Sequence, residues 1–120
     1  QSDILLVAAR ADESNRGMIS RAIMDALGPD GLLVNVARGQ LVDETALIAA
    51  LKSGDLGGAA IDVFDPEPTD PARWVDVPNV VLTPHTGGAT HEAVGRMAQM
   101  LIANLSAHFA GEPLPSPVRL

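Results

Sequence analysis

Leu32-Leu33-Val34-Asn35-Val36-Ala37-Arg38-Gly39 is the stretch on which the fold turns. Leu32 to Val36 is apolar apart from Asn35, too short for a helix, and has the pattern of a strand buried on both faces. It breaks at Ala37-Arg38-Gly39. Asp43 then stands where it can cap a helix running to about Lys52, with Leu47, Ile48 and Leu51 toward a core and Gly54 at its end. Gly58-Ala59-Ala60-Ile61-Asp62-Val63-Phe64 follows as another strand. Strand, helix and strand in this order predict a right-handed crossover and parallel pairing.

The same rhythm extends in both directions. Ile4 to Ala8 is an earlier strand of the doubly buried kind, followed by a polar stretch, Arg10 to Arg16, that ends in Gly17. Ser20 is placed to cap a helix over Arg21 to Leu27, with Ile23, Met24 and Leu27 on one face, and Gly28-Pro29-Asp30-Gly31 stops it. Downstream, a proline-rich loop from Asp65 to Pro78 leads to a strand, Val80-Val81-Leu82, closed by Thr83-Pro84-His85. Thr90 caps a long helix to about Phe109, on which Met97 and Met100 are expected to pack in a core and His91 and His108 to be structural or exposed. Gly111 to Leu120 is a proline-containing tail. The fold class expected is α/β, with a parallel sheet.

Composition bounds the function. A formal charge of −7 lacks the clustered Lys and Arg that phosphate backbones require, so nucleic acid is not an expected partner. With no cysteine, disulfides, thiolate catalysis and Cys-ligated zinc are excluded, and no metal site is expected. No apolar run reaches the roughly 18 residues of a membrane span, so no membrane association is expected. Gln1-Ser2-Asp3 shows no basic region entering an apolar core, so a cytoplasmic location is expected. With no initiator Met and a strand almost at once, the chain reads as a piece of something longer.

In an open parallel sheet, ligands sit at the carboxyl ends of the strands. Three such ends carry polar groups: Asn35 to Gly39, Asp62 to Glu67 and Thr83 to Gly88. Among their residues are Arg38, the carboxylates of Asp62 and Glu67, and His85, a set suited to reducing a 2-oxo acid. Arg presents a fork to the substrate's carboxylate and carbonyl. His titrates near neutrality and can protonate the alkoxide, while an acidic neighbour orients the imidazole. The glycines at 39, 87 and 88 let backbone approach a ligand. Taken singly, Arg38 also reads as a surface cation, His85 as a turn residue, Glu67 as a solvated loop charge and Asp62 as a cap or turn former. Their coincidence at one sheet edge carries the reading.

These residues also carry a resemblance. Asn35-Val36-Ala37-Arg38-Gly39 with Val42-Asp43-Glu44 and Ala46-Leu47 is similar to an N-x-x-R-G…V-D-E-x-A-L block. Leu51-Lys52-Ser53-Gly54, Gly58 to Phe64 and Glu67-Pro68 resemble L-x-x-G…G-A-x-x-D-V-F…E-P. Asn79-Val80, Leu82-Thr83-Pro84-His85 and Gly87-Gly88-Ala89-Thr90 resemble N-V…T-P-H-x-G-x-x-T. Asp3 and Arg16-Gly17 agree with the same region. In one register over almost the whole chain, these blocks resemble the D-isomer-specific 2-hydroxyacid dehydrogenases, with the tone of their glyoxylate, hydroxypyruvate and hydroxyphenylpyruvate reductases.

The resemblance implies the C-terminal half of a Rossmann-type doubly wound parallel sheet. Residues 1–88 would be that half of the dinucleotide-binding domain. Residues 89–120 would be the hinge, return helix and tail of a substrate domain whose remainder lies outside these residues. It implies hydride transfer between NAD or NADP and a small 2-oxo or D-2-hydroxy acid, in a homodimer. Arg38 would bind the 2-oxo acid, His85 would be the acid and base, and Glu67 would hold His85 charged and oriented. Asp62 would meet the nicotinamide carboxamide, helped by the backbone of Val36 and Ala37; Ala9, Arg38, His85, Gly87 and Gly88 would complete the cofactor contacts. A dinucleotide-sensing regulator of the corepressor kind and an inactive fragment are the competing readings.

Two departures stand out. Many members carry His-x-Pro where this chain has Ala8-Ala9-Arg10, which makes Arg10 an added cation whose side chain faces either solvent or a nucleotide phosphate. The G-x-G-x-x-G phosphate loop is also not among these residues, since Gly57-Gly58 and Gly87-Gly88 lack its spacing. The 120 residues alone are therefore expected to bind cofactor poorly and not to turn over.

Overall fold

The computed structural model describes residues 2–118. Four parallel strands, β1 (Ile4–Val7), β2 (Leu32–Asn35), β3 (Gly58–Ile61) and β4 (Val80–Leu82), lie side by side in chain order. Their register aligns Leu6 with Val34, Val34 with Ala60 and Ala60 with Val81. Between them run α1 (Arg21–Leu27) and α2 (Glu44–Ser53). This is the arrangement of one half of a Rossmann-type sheet. The chain divides into two compact units, Gln1–Gly87 and Gly88–Leu120.

The core of the first unit forms where both helices meet the sheet. Met24 of α1, Leu47 and Leu51 of α2, and Leu33, Ala59 and Ile61 of the strands join one buried cluster. Full burial of each large member stabilises by about 2 kcal/mol. Asp43 caps α2 as expected, its carboxylate accepting from the Ala46 amide at 2.9 Å, and Gly54 closes the helix in the left-handed region. Ser20 occupies the N-cap of α1, but its hydroxyl makes no capping bond; its carbonyl takes the Ile23 and Met24 amides instead.

Three expectations need correction. The strands at Ile4 and Leu32 are buried on one face only: Ile4, Leu6, Leu32 and Val81 are exposed. The reason is topological. When strand order advances in one direction, right-handed crossovers place every helix on the same face. The strands expected to reach Ala8, Val36 and Phe64 stop at Val7, Asn35 and Ile61. At those points Asn35 and Asp62 turn their polar groups to the loops. Met97 and Met100, expected in a core, are exposed.

The second unit is built on α3 (His91–Ala110). Thr90 caps it, accepting from the Ala93 amide at 3.1 Å, and Gly111 ends it in the left-handed region. The tail folds onto the helix through Asn104, whose Nδ2 donates to the Ser116 hydroxyl at 2.7 Å. Val94, Met97, Leu101, Ile102 and Leu105 are exposed, because a lone helix cannot bury its own apolar stripe. His91 and His108 are exposed as well. No helix among the described residues is long and apolar enough to cross a membrane.

Candidate active site

The loops that leave β2, β3 and β4 converge at one edge, each held by a polar residue at its strand end. Asn35 closes the first and is 1% exposed. Its Oδ1 accepts from the Ala37 amide at 3.1 Å and its Nδ2 donates to the Arg38 carbonyl at 3.0 Å, which fixes the peptide carrying Arg38. Arg38 Nη1 donates to the Ala37 carbonyl at 2.6 Å, and the rest of its fork is free of carboxylate partners among the described residues. Next to it, Gly39 is pressed against the following loop: a Cβ there would lie 2.0 Å from the carbonyl carbon of Phe64.

Asp62 closes the second. It is 6% exposed, and its carboxylate takes three donors. The Thr83 hydroxyl and the Thr86 amide (2.9 Å) donate to Oδ1, and the Gly87 amide (2.8 Å) donates to Oδ2. These bonds, the Thr83 hydroxyl first, hold the carboxyl below its ordinary value. Asp62 therefore folds the loop that presents His85, whose own backbone lies in the left-handed region with φ +54. The turn-former reading of Asp62 is realised, and a carboxylate with about four lone-pair sites still has one left on Oδ2.

Glu67 joins the last two loops. Its Oε2 lies 2.8 Å from His85 Nδ1, and its Oε1 accepts from the Phe64 amide at 2.8 Å. His85 is the larger cause of a carboxyl held below its ordinary value, and the Phe64 amide the next. Both side chains remain partly open to solvent. They line a concavity of ≈ 510 Å³ whose other walls are Phe64, Pro68, Thr69 and Pro84, a largely apolar lining.

Sequence reasoning gave no role to Glu44, the third residue of the V-D-E block. It is 6% exposed on α2. Oε1 accepts from the Asp65 amide at 2.7 Å, and Oε2 makes an ionic contact of 2.8 Å with Arg73 that falls outside hydrogen-bond geometry. Burial pushes this carboxyl above its ordinary value, against the pull of the Asp65 amide and Arg73. Arg16 reaches Asp65 from another loop at 2.5 Å. Trp74 completes the brace, edge-on to Phe64 with ring centroids 5.8 Å apart, its Nε1 donating to Thr69. Phe64 and Asp65 on one side of Glu67 and Thr69 on the other are thus held in place. An acidic residue after an N-cap reads as helix-dipole decoration, so the only signal was the block itself.

The expected site residues fall into two groups. Ala9, Val36, Ala37 and Arg38 line one concavity of ≈ 600 Å³ at the ends of β1 and β2, together with Arg10. Asp62, Glu67, His85 and Gly87 are linked through the bonds above. Gly87 lies tight against Asp62, where a Cβ would stand 2.9 Å from Oδ2. Gly88 belongs to the second unit, and a Cβ on it would meet nothing within 4 Å. Among the described residues no group of three or more His, Asp or Glu is arranged to hold a metal ion.

Residues 1–87 match the family described as D-isomer specific 2-hydroxyacid dehydrogenase, NAD binding domain. The chain is 50% identical over 117 residues to glyoxylate/hydroxypyruvate reductase A of Arabidopsis thaliana, covering 98% of this chain and 37% of that protein. The solved 2-hydroxyacid dehydrogenase from Ketogulonicigenium vulgare Y25 superimposes with a TM-score of 0.86 at 48% identity, over 98% of this chain and 37% of that one. An NADPH-dependent glyoxylate/hydroxypyruvate reductase from Sinorhizobium meliloti, solved with NADP and malonate, gives 0.87 at 38% identity, over 97% of this chain and 36% of that one. The chain thus spans little more than a third of the length of these relatives.

Proposed function

Because the chain belongs to the D-isomer specific 2-hydroxyacid dehydrogenase family, we propose that the protein containing it reduces a small 2-oxo acid to the D-2-hydroxy acid with NADH or NADPH, and catalyses the reverse oxidation. The observation that carries this reading is the Glu67–His85 pair at 2.8 Å, at the edge of an apolar concavity, beside a loop that presents an Arg38 with no ion pair among the described residues. The relatives named above are described as enzymes, which favours catalysis over the regulatory reading.

In this reading Arg38 binds the substrate carboxylate and carbonyl and polarises the carbonyl oxygen as negative charge develops there. His85, protonated at the nitrogen turned away from Glu67, gives that proton to the forming alkoxide; in the oxidation the neutral imidazole takes it back. Glu67 holds the ring by Nδ1, so Nε2 is the atom that exchanges the proton. When bound, the nicotinamide supplies or accepts the hydride at the substrate's second carbon. Ala9, Val36 and Ala37 would wall its ring, and the remaining acceptor site on Asp62 would take its carboxamide. Gly87 and Gly88 belong to the same proposed cofactor contacts. Glyoxylate and hydroxypyruvate are the proposed substrates, residues 89–120 the start of the return to a substrate domain, and a cytoplasmic homodimer the proposed state.

The test is kinetic, in the full-length polypeptide. His85→Ala is expected to lower kcat by about 100-fold or more while cofactor affinity stays close to wild type. Arg38→Ala is expected to raise KM for the 2-oxo acid and also lower kcat. Near-normal reduction by either variant rejects the assignment.

A further inference from the structure

Arg10 and Arg38 line the same ≈ 600 Å³ concavity, walled by Ala8, Ala9, Val36 and Ala37, with no carboxylate among its lining residues. The other arginines of the first unit are committed: Arg16 to Asp65, Arg21 to Asp25 and Asp55, Arg73 to Glu44. Arg10 and Arg38 have no carboxylate within ion-pair distance among the described residues. In a chain of net charge −7, with 15 acidic residues against 8 basic ones, two unpaired guanidinium groups share one cavity. Neither charge is taken up by a carboxylate of the cavity lining, which leaves both available to an anion.

The two side chains leave backbone that is held in place. Asn15 Nδ2 donates to the Arg10 carbonyl at 2.8 Å, and Asp12 and Asn15 close the turn as a reciprocal capping box. Gln40 Nε2 donates to the Asp12 carbonyl at 3.1 Å, and the Gln40 carbonyl takes the Gly17 amide at 2.7 Å. The loop after β1 is therefore tied to the loop after β2, and Arg10 is tied to the neighbourhood of Arg38.

We infer that Arg10 is a second anion-binding group, and that the ligand brings an oxyanion beyond the carboxylate held by Arg38. That oxyanion is either the distal carboxylate of a 2-oxo diacid or the 2′-phosphate of the dinucleotide. The inference rests on the proposed function for the role of Arg38 and deepens it by naming the ligand's charge class.

The test is calorimetric binding to the full-length protein and to Arg10→Met, with 2-oxoglutarate against 2-oxopentanoate and NADPH against NADH. Each pair differs by one anionic group. The expected result is a drop of about tenfold in the affinity ratio of one pair, which also says which source supplies the anion. Arg10→Lys, which keeps the charge and loses the fork, is expected to fall between. Both ratios remaining within twofold of wild type overturns the inference, whether or not the individual affinities change. Succinate titrated against butyrate, without cofactor, reads the site even if the protein reduces no 2-oxo acid. A wild-type preference for succinate that Arg10→Met loses would support the two-cation site whether or not the dehydrogenase reading stands. Absence of any wild-type preference for the more anionic member of all three pairs overturns it.

Discussion

A Cβ added to Gly39 would lie 2.0 Å from the carbonyl carbon of Phe64 and 2.5 Å from the Asp65 nitrogen, distances that no side-chain rearrangement can relieve because both neighbours are backbone. The glycine after Arg38 is therefore what lets the β2 loop touch the loop that leads to Glu67. Gly39→Ala must push the two apart. The expected outcome is destabilisation of about 1–3 kcal/mol together with a fall in kcat/KM, since Arg38 and Glu67 lose their spacing. Urea unfolding and steady-state kinetics on the same preparation check it; wild-type values in both would contradict the packing described.

Asp62 is expected to act through the turn it folds. Asp62→Asn offers one acceptor oxygen where three donors now meet a carboxylate, and its NH2 must face either the Gly87 amide, in the place of Oδ2, or the Thr86 amide, in the place of Oδ1. A cost of about 1–3 kcal/mol is expected at neutral pH. Because the carboxyl is held below its ordinary value, its contribution is full above the ordinary carboxylate range and lost as pH falls through the lowered value. The gap in stability between wild type and Asp62→Asn should narrow as pH is lowered, as read by unfolding at a series of pH values.

Glu44 should show the opposite slope. Burial raises its carboxyl, so the folded protein keeps this proton longer than the unfolded chain does. Wild-type stability relative to Glu44→Gln is expected to decline as pH rises from the ordinary carboxylate value through the raised one, and to level off above it. Glu44→Ala also strips the acceptor from the Asp65 amide and the partner from Arg73. It should loosen the Glu67 loop and lower kcat more than Glu44→Gln does, which separates the brace from the charge.

Glu67→Gln keeps an acceptor for the Phe64 amide and removes the charge beside His85. The expected outcome is a fall in kcat of about tenfold to 100-fold with KM for the 2-oxo acid changed much less, because Glu67 serves the imidazole and Arg38 serves the substrate. A KM effect larger than the kcat effect would place Glu67 against the substrate instead.

Much of this molecule was legible in its residues. The apolar runs at Leu5 and Leu33, the caps Asp43 and Thr90 and the stop at Gly54 follow from local periodicity and local hydrogen bonds, which depend on residues a few positions apart. The parallel sheet follows from their order, since short strands separated by helices admit few topologies. The clustering of Arg38, Asp62, Glu67 and His85 at one edge follows from that sheet, whose carboxyl ends gather the loops.

Other features depend on distances between residues far apart in the chain, which no local pattern encodes. Asp62 reads the same whether it is a solvated cap or the acceptor for residues 83, 86 and 87. Glu44 reads as first-turn acid, and only the packing of α2 beside the Asp65 loop buries it and joins it to Arg73. Arg10 and Arg38 line one concavity only because the loops after β1 and β2 lie side by side, with Gln40 bonded across them to the Asp12 carbonyl. Periodicity reports which face of an element is apolar; which loops end up within 3 Å of one another is decided by how the elements pack, and the chemistry proposed here depends on those contacts.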